Sequence, residues 1–233
     1  MAEPKQSTSW IPLESNPQVM NTYTNKLGVT SKWAFTDVWG LDEELLQFIP
    51  RPVLAVVLLF PITEKYEDHR RSEEAQIKER GQTVSKNVYF IRQTIGNACG
   101  TIGLLHALAN NVENFELGDG PLKRILDETL PKSPDDRAKV LEGSNELAAV
   151  HEESSQAGQT AAPSRDQDVD LHFICFVRKD GHLYELDGRK PFPINHGPSD
   201  DVLKDSVKIV QQFMGRDPDN LNFTVIALAP AQD

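Results

Sequence analysis

Gln93-Thr94-Ile95-Gly96-Asn97-Ala98-Cys99-Gly100-Thr101-Ile102-Gly103-Leu104 is the stretch on which the reading of this chain turns. Its second half is apolar and helix-forming, and the helical pattern runs to about Ala109 before Asn110-Asn111 ends it. Cys99 therefore falls at the start of a helix, where unpaired N–H groups and the helix dipole favour an anion. The thiolate is the nucleophile, and a free thiol has a pKa of about 8.5, so this placement favours the reactive form. Gly96 and Gly100 flank the thiol and leave room for a tight turn and an approaching substrate backbone. Gln93 lies six residues upstream. Its side-chain amide can donate to the oxyanion of a tetrahedral intermediate, a contact worth roughly 3–4 kcal/mol.

A thiol needs a base. Val169 to Arg178 alternates as a strand, Lys179-Asp180-Gly181 turns, and His182 to Leu186 returns as the second arm of a hairpin. His172 lies on the first arm and Asp187 ends the second, so the hairpin puts both on neighbouring strands of one sheet. A histidine beside the thiol accepts its proton and later protonates the leaving amine. An aspartate holds that imidazole in the right tautomer. Standing alone, each residue has an ordinary reading: Cys99 as a small core residue, His172 as a satisfied strand histidine, Asp187 as a turn residue. The other candidates read as structural. Cys175 in Phe173-Ile174-Cys175-Phe176 is buried and inert, and His106, on the Cys99 helix, packs beneath the site. His69 and His151 read as surface residues among charges, His182 sits at a turn, and His196 has no evident partner. Trp10, Trp33 and Trp39 read as core or rim aromatics.

Away from the site, Asn16-Pro17 opens a helix that Gly28 closes. Phe35 to Val38 reads as a short strand and Asp42 to Phe48 as a short helix. Val53 to Phe60, apolar and bracketed by prolines, is a fully buried strand. Glu64 to Arg80 is a charged surface helix, and Gly81 to Asn87 a polar connection. Further helical stretches cover Leu122 to Leu130, Ser133 through Leu141, Asn145 to Glu152 and Asp200 to Met214, with a last strand over Leu221 to Leu228. The sum is an α/β (α+β) chain with a mostly antiparallel central sheet and helices on both sides. Ser154 to Asp168 has no apolar periodicity and reads as a lid immediately before His172.

The 233 residues suit one domain spanning 1–233. A net charge of −11 argues against nucleic acid and suits a basic partner. The eight apolar residues Val53 to Phe60 are too few to cross a membrane. With two cysteines and no CxxC pair, a structural zinc site is not expected, and neither is any other cofactor. Few cysteines and a polar start at Met1 to Ser9 fit a reducing, cytoplasmic setting, with nuclear access open.

The order Gln, Cys, His, Asp and the words around it resemble the ubiquitin C-terminal hydrolases, the papain-like deubiquitinases of peptidase family C12. The resemblance runs from Trp10-Ile11-Pro12-Leu13-Glu14 to the final strand and is strongest to small single-domain members of the L3 type. Its most specific words are Arg51-Pro52-Val53 with Phe60-Pro61-Ile62-Thr63-Glu64-Lys65-Tyr66, the Cys99 stretch, Val169 to Phe173, and Gly181 to Pro191. It implies a papain-like fold with a knotted backbone, an exception among chains. It also implies Cys99 as nucleophile, His172 as base, Asp187 as its orienter and Gln93 as oxyanion donor. The implied reaction cleaves after the C-terminal glycine of ubiquitin through a thioester and releases small adducts or short peptides, and some members accept Nedd8. Ser154 to Asp168 corresponds to the crossover loop, beneath which substrate threads. Asp37, in Asp37-Val38-Trp39-Gly40, and Asn97 are the candidate substrate-binding residues, Asp37 for an arginine of ubiquitin's tail; a strand-end or helix-capping aspartate is the ordinary alternative for Asp37. A monomer is expected. Two other classes stay open: a ubiquitin-binding protein with idle chemistry, and another Cys-His-Asp acyl-transfer enzyme of the transglutaminase kind.

Overall fold

In the computed structural model, which describes residues 9–29, 32–165, 167 and 169–232, the proline-bracketed apolar run becomes a central strand. In chain order the elements begin with α1 (Pro17–Lys26), β1 (Trp33–Asp37), α2 (Glu43–Leu46), β2 (Ala55–Pro61) and α3 (Glu64–Arg80). Next come α4 (Cys99–Ala109), α5 (Pro121–Thr129), α6 (Pro134–Gly143) and α7 (Asn145–Ser155). The C-terminal part holds β3 (Leu171–Lys179), β4 (His182–Leu186), β5 (Ile194–Pro198), α8 (Val202–Arg216) and β6 (Thr224–Pro230). The strands make one sheet in the order β1-β6-β2-β3-β4-β5, every neighbouring pair antiparallel. The expected sheet with helices on both faces is what forms.

Alternation along the two central strands divides the core. Ala55, Val57, Phe173, Cys175 and Val177 join one apolar cluster with Ile102, Leu105 and Leu108 of α4. Val56, Leu58, Phe60, Ile174 and Phe176 join the other, with Leu203, Val207, Val210 and Phe213 of α8 and Tyr66 of α3. Gly100 to Ala109 are all buried, which is the condition for a helix that is apolar all round. Caps fall where the sequence places them: the Asn16 side chain accepts from the Gln18 N–H and Ser133 from the Asp136 N–H.

Several sequence expectations change. Strand β5 was not foreseen; it pairs with β4 at the sheet edge, where Pro198 and a register shift are tolerated. Helix α7 takes in Ser154 and Ser155, so the irregular segment starts at Gln156. His196 does have a partner, its Nε2 lying 2.9 Å from Glu185 Oε2. Trp39 is neither core nor rim, standing 83% exposed. His151 is not a surface residue. Its Nε2 donates to the Ile11 carbonyl at 2.6 Å, which leaves Nδ1 to accept from Thr101 Oγ1 at 2.7 Å; that hydroxyl in turn accepts from Tyr23. The Trp10 ring lies 4.5 Å away, centroid to centroid. Local charge around His151 pointed to solvent, but the helix turns this one position inward. His106 is buried as expected, stacked on Phe90 and accepting the Ile91 N–H at 3.1 Å.

Both buried imidazoles are neutral in the fold: burial pushes His106 down to about 3 and His151 down to about 4. In the unfolded chain an imidazole titrates near pH 6.5, so the unfolded state binds more protons below that value and stability falls as pH falls. Each histidine contributes a slope of up to ~1.4 kcal/mol per pH unit between about 6.5 and its folded value. Chemical denaturation near pH 6.5 and near pH 5 should show this loss. His106→Gln keeps an acceptor for the Ile91 N–H and should lose less over the same interval; an equal loss would remove His106 from the account.

Candidate active site

Cys99 is the first residue of α4, and Ala98 before it offers no side-chain cap, so first-turn N–H groups stay open toward the thiol. The segment before α1 lies directly over this helix start: a methyl group on Gly100 would sit 2.8 Å from Leu13 Cβ. Opposite stands the β3–β4 hairpin. Cys175 pairs with Leu186, so Asp187 lies across from Ile174 and diagonal to His172 on the same face. His172 Nε2 is 2.7 Å from Asp187 Oδ1, with both side chains almost fully withdrawn from water. That leaves Nδ1 as the ring nitrogen available to Cys99.

The electrostatics follow. Burial opposes a thiolate at Cys99, but hydrogen bonding to His172, the imidazolium charge and the N–H groups of Phe173 and Gly100 outweigh it and hold the pKa below the ordinary thiol value. Burial likewise opposes a charged His172; Asp187 and the thiolate raise it to about 9. Burial also works against an ionised Asp187. The imidazolium, the Lys190 charge and the Arg189 N–H, 2.9 Å from Oδ1, prevail and keep it far below the usual carboxylate range. Cys175 is different: it is buried as expected, and burial alone pushes its thiol far up.

Gln93 reaches the site through backbone. Its N–H donates to the Gly188 carbonyl at 2.9 Å, and a Cβ on Gly188 would lie 2.9 Å from Gln93 Cβ, so the glycine after Asp187 is what lets the two segments touch. The Gln93 carboxamide gives one N–H to the Ile95 carbonyl and retains a second. Asn97 has φ near +59° and uses its side chain to hold Ser9 Oγ and the Arg165 carbonyl, each at 3.3 Å. It lines a cleft of about 320 Å³ with Cys99, Leu13, Glu14, Phe173 and Pro163. Asp37 does not line this cleft. It closes β1, half-buried, with burial raising its pKa.

Two residues escaped the sequence reading. Glu14 holds the segment that roofs the cleft, its carboxylate accepting from the Thr160 N–H at 3.0 Å, Thr160 Oγ1 at 2.7 Å and the Gln159 N–H at 3.3 Å. Partial burial opposes its charge, yet these donors bring it down to about 2. Further along, Arg165 pairs with Glu152 at 2.6 Å and its carbonyl accepts from Ser9. The second residue is Tyr66, whose hydroxyl donates to Asp187 Oδ2 at 2.9 Å. An aromatic on a charged helix carries no local sign of such a role.

Among the described residues no His/Cys/Asp/Glu group is arranged to hold a metal, and no helix is long and apolar enough to cross a membrane.

Residues 10–215 match the family described as "Ubiquitin carboxyl-terminal hydrolase, family 1". A probable ubiquitin carboxyl-terminal hydrolase of Dictyostelium discoideum is 48% identical, covering 94% of this chain and 88% of that one. A ubiquitin carboxyl-terminal hydrolase of Drosophila melanogaster is 47% identical over 96% of this chain and 99% of its own. The human isozyme L1 is 47% identical over 94% and 98%. Among solved structures, the catalytic domain of Trichinella spiralis UCH37 bound to ubiquitin vinyl methyl ester superposes with a TM-score of 0.76 at 22% identity, covering 98% of this chain and all of that one. A thiol at a helix start, an imidazole and carboxylate paired on the facing hairpin, and a family match over nearly the whole length agree: this chain belongs to the ubiquitin carboxyl-terminal hydrolases, a family of cysteine-type thiol hydrolases.

Proposed function

We propose that this chain hydrolyses the bond after the C-terminal glycine of ubiquitin, with Cys99 as nucleophile, His172 as general base and acid, Asp187 as orienter and Gln93 as oxyanion donor. The observation that carries the reading is the buried His172–Asp187 pair, 2.7 Å between Nε2 and Oδ1, set against a helix-start thiol of lowered pKa. The thiolate attacks the glycine carbonyl and the C–S bond forms. The oxyanion takes the free Gln93 N–H and an N–H from the start of α4. His172, as imidazolium, gives its proton to the leaving amine as the C–N bond breaks, which leaves a thioester. Neutral His172 then takes a proton from water, whose oxygen attacks the thioester; the C–S bond breaks, the ubiquitin carboxyl group leaves and loses its proton to solvent, and the thiolate–imidazolium pair is restored.

The roof over the cleft, fastened at Glu14 and again at Ser9, Asn97 and Glu152, favours a narrow extended substrate and small leaving groups. We read the segment from Gln156 as the crossover loop of a single catalytic domain. Support for ubiquitin comes from the names of the relatives and from the ubiquitin-based electrophile bound in the related fold. The net charge of −11 suits a basic tail. The same chemistry extends the proposal to Nedd8, to a monomeric enzyme and, with two free thiols, to a reducing cytoplasm.

Wild-type protein should release the fluorophore from a C-terminal ubiquitin amide, and Cys99→Ser should lower kcat at least roughly a thousandfold. A mutant that keeps its rate would remove Cys99 from the mechanism, and ubiquitin binding without turnover in the wild type would favour the idle-chemistry class. The working state is thiolate with imidazolium. The acylation rate, kcat/KM, should therefore rise through a Cys99 pKa below the ordinary thiol value and fall as His172 loses its proton near pH 9. A profile still rising above pH 9 would contradict the pairing. Asp37→Ala should raise KM more than it lowers kcat; unchanged ubiquitin affinity would leave Asp37 a strand-end residue.

A further inference from the structure

A carboxylate has two oxygens, and a half-turn about Cβ–Cγ exchanges them. Asp187 Oδ1 serves His172 and the Arg189 N–H, so something must fix the other oxygen if the imidazole is to be held in one plane. Oδ2 accepts the Tyr66 hydroxyl at 2.9 Å. Tyr66 is buried at the beginning of α3, with ring centroids of Phe60 and Phe213 at 4.7 and 5.9 Å. Thr63 sets the entry to that helix by accepting the Tyr66 N–H at 3.3 Å. Phe60, at the end of β2, also presents its ring edge-on to His172 at 5.8 Å and 81°. One strand-to-helix corner, Phe60 to Tyr66, thus backs both the imidazole and the carboxylate. Burial and the neighbouring Asp187 and Glu185 charges push the Tyr66 hydroxyl well above its ordinary pKa, so it remains a donor throughout the working range.

We infer that Tyr66 is a positioning residue for the hydrolytic reaction, its hydroxyl locking Oδ2 of Asp187 so that Oδ1 meets His172 and the opposite ring nitrogen stays aimed at Cys99. The inference rests on the triad reading above. It asks more of Tyr66 than packing does, because a tyrosine that merely fills the core would serve equally well without its hydroxyl.

Tyr66→Phe keeps the ring and removes the hydroxyl. With KM unchanged, kcat should fall about 10- to 100-fold, the range for a lost hydrogen bond to a buried charge. The pH at which Cys99 is alkylated by iodoacetamide should move up toward the ordinary thiol value, because a loosely held imidazolium stabilises the thiolate less. Wild-type kcat, or a lowered kcat with the alkylation midpoint unmoved, would overturn the inference. Asp187→Asn measured alongside separates the two levels: wild-type activity there would bring down the triad reading itself. An inactive Asp187→Asn beside an unaffected Tyr66→Phe would overturn Tyr66 alone. Should Tyr66→Phe fail to fold, 4-methylphenylalanine at position 66 fills the space of the hydroxyl without donating. It should move the alkylation midpoint upward, and an unmoved midpoint would overturn the inference.

Discussion

The contact on which the site depends is a charge pair that water cannot reach. His172 and Asp187 meet at 2.7 Å with scarcely any exposed surface, and a buried ion pair survives only when its remaining valences are satisfied. The surroundings satisfy them. Asp187 receives three donors, from His172, Arg189 and Tyr66. Behind it, Lys190 bridges Glu185 at 2.6 Å and Glu73 at 2.7 Å, and His196 closes on the far oxygen of Glu185. Strand β5, the irregular edge, brings in His196, and helix α3 brings in Glu73 and Tyr66. The elements that look peripheral in the topology are thus the ones that stabilise the charge at the centre.

Around that pair the architecture is an opposition of two rigid parts. The thiol belongs to a helix buried from Gly100 to Ala109, and the imidazole to a central strand between β2 and β4. Neither can shift without disturbing the core. A third part, the segment from Ser9 to Glu14, touches both the helix start and the roof: Leu13 packs on Gly100, the Ile11 carbonyl accepts from His151, and Glu14 holds Gln159 and Thr160. The walls of the cleft are therefore held together by a strip of chain outside both α4 and the hairpin.

What could be read from the sequence was what is local. The helix start at Cys99, the hairpin joining His172 to Asp187 and the caps at Asn16 and Ser133 are set by neighbours a few residues away, and they form as read. The burial of Cys175 followed from its apolar surroundings. Long-range partners were hidden. Nothing near His151 announces Thr101 or Ile11, nothing near Glu14 announces Thr160, and the uncharged residues flanking His196 do not show that Glu185 is turned toward it. Strand β5 was hidden for another reason: its proline and glycine suit an edge but mask the period of two.

The order of strands has a consequence for how the molecule is made. Strand β6 is last in the chain, yet it lies between β1 and β2, with Ala227 opposite both Thr36 and Val56. During synthesis β1 and β2 leave the ribosome with a strand-wide gap between them that only Thr224–Pro230 can fill. The sheet cannot zip progressively from its first strands, and its completion is a late, long-range event of the kind that slows folding. The half of the sheet that carries His172 and Asp187 is independent of that event: β2, β3, β4 and β5 pair with one another without β6. The part that waits for the end of the chain is the other edge, where β1 has no partner but β6.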